Sequence, residues 1–207
     1  DADNQYTQGN MYYLGEGVPK DYTKAKEWFE KAAAHDSADA QNTLGVMYFY
    51  AEGVPKDYTK AKEWFEKAAS RGNVEAQNAL GRMYYSGEGA PKDYTMAREW
   101  FEKSSSQDSA VAQFYLGMML YRGEGFLQNY EMAKEWLQKA ANQDAPVADV
   151  AQVYLGNMYF KGEGVPKDYT MAREWFEKAV KQGNEEAYSM LHQIDLAESP
   201  SFYSETQ

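Results

Sequence analysis

Residues 40–48, Ala40-Gln41-Asn42-Thr43-Leu44-Gly45-Val46-Met47-Tyr48, run through a turn at Gly53-Val54-Pro55-Lys56-Asp57 into Ala61-Lys62-Glu63-Trp64-Phe65-Glu66-Lys67-Ala68-Ala69. Near-copies of this string surround Gly9, Gly81, Gly117 and Gly156. The tryptophans keep the register at Trp28, Trp64, Trp100, Trp136 and Trp175, with spacings of 36, 36, 36 and 39 residues. About three extra residues in the stretch from Gln143 to Val150 account for the longer last interval, and Pro146 there forbids simple helix continuation. A fixed period of this length is the mark of a repeat architecture.

Each copy holds two helical patterns. Ala40, Leu44, Met47 and Tyr48 recur at i, i+4, i+7 and i+8 and fall on one stripe of a first helix; Ala61, Trp64, Phe65, Ala68 and Ala69 do the same in a second. Pro55 breaks the chain before the second helix, and Asp57 is placed to cap it by accepting from an orphan backbone N–H. Gly72 and Gly183 stand where a left-handed C-cap would close that helix, and Asn73 and Asn184 can cap the first helix that follows. Gly45 and its counterparts, with the paired alanines, allow close approach of backbones. One such hairpin cannot bury both stripes, whereas stacked neighbours create a continuous core. The expected organisation is therefore a repeat solenoid over 1–196, with repeats at about 1–36, 37–72, 73–108, 109–147 and 148–183. A capping helix is expected over 184–196, where His192 takes the glycine register, and a flexible tail over 197–207.

Composition narrows the function. The 207 residues carry a net charge of -11, with 18 Tyr, 5 Trp and no Cys. That balance argues against nucleic acid and against anionic membrane surfaces, since phosphate binding needs clustered Lys and Arg. Absence of cysteine excludes disulfides and thiolate metal sites, and with only His35 and His192 no metal or other cofactor is expected. No apolar run approaches the roughly 18 residues of a membrane span, so a soluble chain without membrane insertion is expected. The first residue is Asp1 rather than Met, as expected of a processed or shortened chain.

With these residues in view, the chain resembles the Sel1-like repeat family, cousins of the tetratricopeptide repeats. The likeness rests on Ala40, Leu44-Gly45, Tyr48, Gly53-Val54, Asp57, Ala61, Trp64, Ala68-Ala69 and Gly72, repeated across nearly the whole chain. A plain tetratricopeptide array would repeat every 34 residues or so and would not need the Gly-x-Gly-Val-Pro turn. The resemblance implies an all-α, right-handed α/α superhelical solenoid of five helix-turn-helix repeats plus a C-terminal capping helix. It places first helices on a concave surface and second helices on the convex side. It also implies a scaffold or adaptor role, and a bacterial, periplasmic or secreted protein that contributes to host interaction. One cysteine-rich branch of the family is linked to β-lactamase or penicillin-binding activity; this chain departs from it by lacking cysteine.

Motifs for chemistry are not found. Gly15-Glu16-Gly17 follows a helix rather than a strand and recurs as a turn, unlike a phosphate loop. Neither Ser-x-x-Lys nor Gly-x-Ser-x-Gly occurs. Glu27–Lys31, Glu63–Lys67, Glu99–Lys103, Glu135–Lys139 and Glu174–Lys178 read as i,i+4 pairs on solvated helix faces, each contributing roughly 0.2–0.5 kcal/mol. The tryptophans and Phe29, Phe65, Phe101 and Phe176 read as core.

A partner surface is therefore expected on the first helices, away from their apolar stripe. Counting from each glycine, four rows share this second face by helical spacing. Three before it stand Tyr6, Asn42, Asn78, Phe114 and Val153; one after it, Asn10, Val46, Arg82, Met118 and Asn157. Four after it stand Tyr13, Phe49, Tyr85, Tyr121 and Phe160; five after it, Leu14, Tyr50, Ser86, Arg122 and Lys161. Most of these vary while the core positions barely change, and aromatics and Arg are common interface anchors. The expected function is non-catalytic binding of a protein or peptide in the concave groove. A glycan- or cell-wall-binding module, a β-lactam- or peptidoglycan-active enzyme and a dimerising spacer are the alternatives.

Overall fold

The computed structural model describes residues 1–199; the expected tail over 197–207 lies, beyond Ser199, outside the described residues. The chain divides into two compact units, the first from Asp1 to Gln107 and the second from Asp108 onward. The first contains α1 (Ala2–Leu14), α2 (Tyr22–Ala34), α3 (Ala38–Tyr50), α4 (Tyr58–Ser70), α5 (Val74–Ser86) and α6 (Tyr94–Ser105). The second contains α7 (Ala110–Arg122), α8 (Tyr130–Ala141), α9 (Ala148–Lys161), α10 (Tyr169–Lys181) and α11 (Glu185–Glu198). Among the described residues there is no strand.

Ten of the eleven described helices begin at a side chain that accepts from an orphan backbone N–H. Asp57 accepts from the Lys60 backbone N–H at 3.0 Å, and Asp21, Asp93, Asn129 and Asp168 repeat this at the other second helices. Asn73 and Asn184 accept from Ala76 and Ala187 at 2.8 and 2.9 Å to start α5 and α11. At α9 the longer loop puts Val147 at the cap, and no side-chain bond forms there. Each hairpin turn is pinned by one backbone bond, Asp57 N–H to Tyr48 C=O at 3.0 Å in the second copy, with equivalents in all five.

Within a hairpin, the first helix meets the second at a glycine. A Cβ built on Gly45 would lie 2.6 Å from Phe65, and those on Gly9, Gly81 and Gly156 would lie 2.5–2.6 Å from Phe29, Phe101 and Phe176. In the fourth copy Leu137 takes the ring's place, 2.7 Å from the position a Cβ on Gly117 would occupy. The four phenylalanines are buried with the paired alanines. The tryptophans differ from the expectation of a core role. Only Trp175 is buried and the other four are half-buried; over each of the five indole rings lies the lysine three residues on, with Nζ 4.1–4.5 Å from the ring centroid. Those lysines are the ones expected to pair with glutamate, and among the described residues no ion pair within 4 Å joins Glu27 to Lys31 or their counterparts. The i,i+4 pairs that do form are Lys26–Glu30, Lys62–Glu66 and Arg98–Glu102.

α11 buries Ala187 and Ile194 against the preceding hairpin and exposes Tyr188, His192 and Leu196. It runs two residues beyond the expected Leu196, and this brings Asp195 and Glu198 to Arg173 at 2.8 and 2.9 Å.

Two substitutions separate steric from conformational constraints. Gly45→Ala forces a methyl into Phe65 and is expected to lower stability by about 1–3 kcal/mol in urea unfolding. Ala51 stands at φ 61°, where the other four copies have Gly15, Gly87, Gly123 and Gly162. Ala51→Gly is expected to raise stability by about 1 kcal/mol by relieving the left-handed conformation.

Candidate functional site

The four rows of the first helices acquire different surroundings. The row three before the glycine turns inward. Val153 and Phe114 are buried, and the Tyr6 ring lies 5.6 Å from that of Phe29. Asn78 is 2% exposed and accepts from the Ser104 hydroxyl at 2.6 Å. In the second copy Ala68 holds the register of Ser104, and the Asn42 Oδ1 atom is buried without a partner. Expected as open surface, this row is buried or half-buried, against the second helix of the same copy at Tyr6 and Asn78 and against Tyr154 of α9 at Phe114.

In the row one after the glycine, Asn10, Val46 and Asn157 are half-buried, Met118 is buried, and only Arg82 is exposed. Phe114 and Met118 are thus not on display, although their size and variability suggested it.

The row four after the glycine is an aromatic clasp. Tyr13, Phe49, Tyr85, Tyr121 and Phe160 are half-buried, each with its ring 5.0–5.4 Å from the tyrosine that opens its own second helix, Tyr22, Tyr58, Tyr94, Tyr130 or Tyr169. Tyr13 and Tyr121 also reach the next copy, donating hydroxyl hydrogen bonds to Glu52 and Glu163. Burial, then the hydrogen bond to carboxylate, pushes both hydroxyls well above the ordinary tyrosine range. Phe49 has no hydroxyl, and the corresponding Glu88 receives the hydroxyl of Tyr58 at 2.7 Å.

The last row remains open. Leu14, Tyr50, Ser86, Arg122 and Lys161 are the final residues of α1, α3, α5, α7 and α9, and all five are exposed, Leu14 by 56% and Tyr50 by 58%. Arg122 donates to the Tyr154 hydroxyl at 2.5 Å and lies over its ring. Tyr154 and the turn glutamates were not among the expected site residues, although the recurrent Gly-Glu-Gly turn carries the signal for the latter. In the first unit the exposed candidates are Leu14, Tyr50, Arg82 and Ser86; in the second they are Arg122 and Lys161. Among the described residues no helix is long and apolar enough to cross a membrane.

Five α/α hairpins built on one contact, of a first-helix glycine with a large apolar side chain of the second helix, define a helical repeat protein, with variation concentrated at first-helix ends. The Sel1 repeat model matches residues 9–37, 38–73, 74–109, 110–144 and 149–184, and the chain belongs to the Sel1 repeat family, an all-α solenoid class whose members are generally non-catalytic protein-interaction scaffolds. A solved protective antigen present in uropathogenic Escherichia coli strains is similar at 37% identity and TM-score 0.85; the match covers 93% of this chain but 41% of that one, so the chain spans about two fifths of the antigen's length. A Sel1 repeat protein from Oxalobacter formigenes is 30% identical with TM-score 0.85, over 94% of this chain and 78% of that one. An immunity protein from Pseudomonas aeruginosa is 26% identical with TM-score 0.52, over 94% and 69%. No curated protein matches.

Ala68→Ser copies the third repeat into the second and is expected to raise stability by about 0.5–1.5 kcal/mol by giving Asn42 a donor, as read by chemical unfolding. The clasp also has a pH signature. Because the folded Tyr13 and Tyr121 hold their protons above the unfolded value near 10, their contribution is complete below about pH 10 and is lost as pH rises beyond it. Thermal unfolding of a Tyr13→Phe, Tyr121→Phe variant is expected to show a lower Tm at neutral pH and a shallower decline at alkaline pH than the wild type.

Proposed function

We propose that the chain is an adaptor that binds a partner protein or peptide through the exposed ends of its first helices, on the face that lines the concave side in Sel1-like solenoids. The observation that carries this reading is the contrast at one register position. The fifth residue after each glycine is exposed in every copy, yet reads Leu14, Tyr50, Ser86, Arg122 and Lys161. Packing does not select these residues, and Leu14 and Tyr50 offer apolar surface that a solvated helix end does not require. Arg82 adds a guanidinium to the same face of α5, and large apolar groups with Arg supply much of the energy of protein interfaces.

Half-buried Asn10, Val46 and Asn157 flank this row, while the aromatic clasp holds the helix ends in place. Export and a host-facing role are supported by the likeness to the uropathogenic antigen, whose description as protective makes it a protein that an immune response meets.

The test is affinity capture from bacterial and host extracts by the full chain and by a folded Leu14→Ala, Tyr50→Ala, Arg82→Ala, Arg122→Ala, Lys161→Ala variant. A protein retained by the wild type and lost by the variant is the expected outcome, with affinity for the purified partner reduced at least about tenfold. Identical capture by both would overturn the assignment. Competition by soluble glycans would move it to carbohydrate recognition.

A further inference from the structure

A glutamine recurs on the first helices four residues before the glycine, half-buried at Gln5 and buried at Gln41, Gln77, Gln113 and Gln152. A buried carboxamide needs partners for both its oxygen and its nitrogen. For the nitrogen, Gln41, Gln77 and Gln152 donate to Ala33, Ala69 and Ala141 backbone carbonyls, and Gln113 donates to the Asp108 carboxylate. For the oxygen, three copies share one solution. Thirty residues on, Gln107, Gln143 and Gln182 donate their side-chain amides to Gln77, Gln113 and Gln152 at 3.1, 2.8 and 2.9 Å. Gln107 and Gln143 also donate to the backbone carbonyls of Gly72 and Asp108 at 3.1 and 3.0 Å.

The first two copies lack that donor: the position is His35 for Gln5 and Arg71 for Gln41. The Oε1 atoms of Gln5 and Gln41 are the two in the series that are buried without a partner. At Gln41, itself 3% exposed, Arg71 has turned away to form an ion pair with the Asp36 carboxylate. What remains is a cleft of about 390 Å³ with Gln41, Asp36, Trp64, Lys67 and Arg71 in its lining. A single water takes about 30 Å³, and small-molecule sites begin near 300 Å³.

The geometry points to this cleft as a binding site for a primary carboxamide, presented as a glutamine side chain of a peptide partner. The third copy supplies the template. An entering amide nitrogen has one donor for Gln41 Oε1 and a second for the Asp36 backbone carbonyl, as Gln107 has for Gln77 and Gly72. Its oxygen meets donors on Lys67 and Arg71, while Ala33, Ala34 and the Trp64 ring flank the methylenes. Glu30 and Asp36 balance Lys67 and Arg71, so a neutral polar group is favoured over a charged one. The cleft lies between the ends of α2 and α4 and the turns that follow them, with Gln41 of α3 in its lining, and it involves none of the exposed first-helix ends.

The experiment uses N-acetylglutamine N-methylamide, whose sole primary amide is the side chain, titrated into the 207-residue chain while the Gln41 side-chain amide and Trp64 indole resonances are followed by NMR. Saturable shifts at both are expected, with N-acetylglutamate N-methylamide binding at least about tenfold more weakly. Arg71→Gln restores the internal donor found in the third, fourth and fifth copies. That variant is expected to have a higher Tm and to bind the glutamine probe at least about tenfold more weakly. No saturable shift in the wild type, equal binding of the glutamate probe, or undiminished binding by a folded Arg71→Gln variant would each overturn the site.

Discussion

The approach of a first-helix backbone at a glycine to a large apolar side chain of the second helix sets the geometry of every repeat. At Gly45 there is no Cβ, and the Phe65 ring occupies the space a Cβ would need, 2.6 Å away. With the helices this close, the ring and the paired alanines are shut away from water, which is the main favourable term available to so small a unit. The short turn follows from the same proximity: the Asp57 backbone N–H can reach Tyr48 only when the two helix ends lie side by side. In the fourth copy Leu137 replaces the ring and Gly117 stays, so the constraint concerns helix separation more than aromaticity.

Hydrophobic contact joins the helices of a copy, and buried amides set the register between copies. Glutamine inside a helical core is costly unless both ends are satisfied. The side-chain nitrogens of Gln41, Gln77 and Gln152 reach alanine carbonyls of the preceding copy, while the oxygens of Gln77, Gln113 and Gln152 accept from a glutamine 30 residues on in their own copy. The tyrosine clasp works similarly, with Tyr13 reaching Glu52 and Tyr121 reaching Glu163. Where one member of such a pair changes, the other is stranded: Phe49 leaves Glu88 to Tyr58, Ala68 leaves Asn42 unanswered, and Arg71 leaves Gln41 so. Departures from the repeat thus mark the places where a polar group satisfied in the regular copies is repartnered or left unanswered.

The exposed first-helix ends obey a different rule. They sit one residue before the left-handed turn residue, beyond the last position the second helix covers, so no neighbour dictates their chemistry. The tryptophans share this partial freedom but lie under lysine stems, which screen their apolar faces. Large apolar side chains left open at Leu14 and Tyr50 are not screened in this way.

Sequence by itself determined the five-fold period, the two helices of each copy, their aspartate and asparagine caps, the role of the glycine row and the added loop near Pro146. All of these depend on contacts within a few residues or on a pattern repeated whole, so the residues carry the information locally. It also singled out the first-helix rows that vary. Tertiary structure decided which of them face outward. Helical spacing places Asn78 and Arg82 on one face, yet Asn78 is sealed by Ser104 while Arg82 is open, because helical spacing alone does not show what the neighbouring helix covers. The lysines likewise chose the indole faces over the glutamates one turn back. The empty acceptor at Gln41 became visible only when its counterparts were seen to accept from glutamines thirty residues on, beyond the next helix, a relation that the periodicity of one helix does not contain.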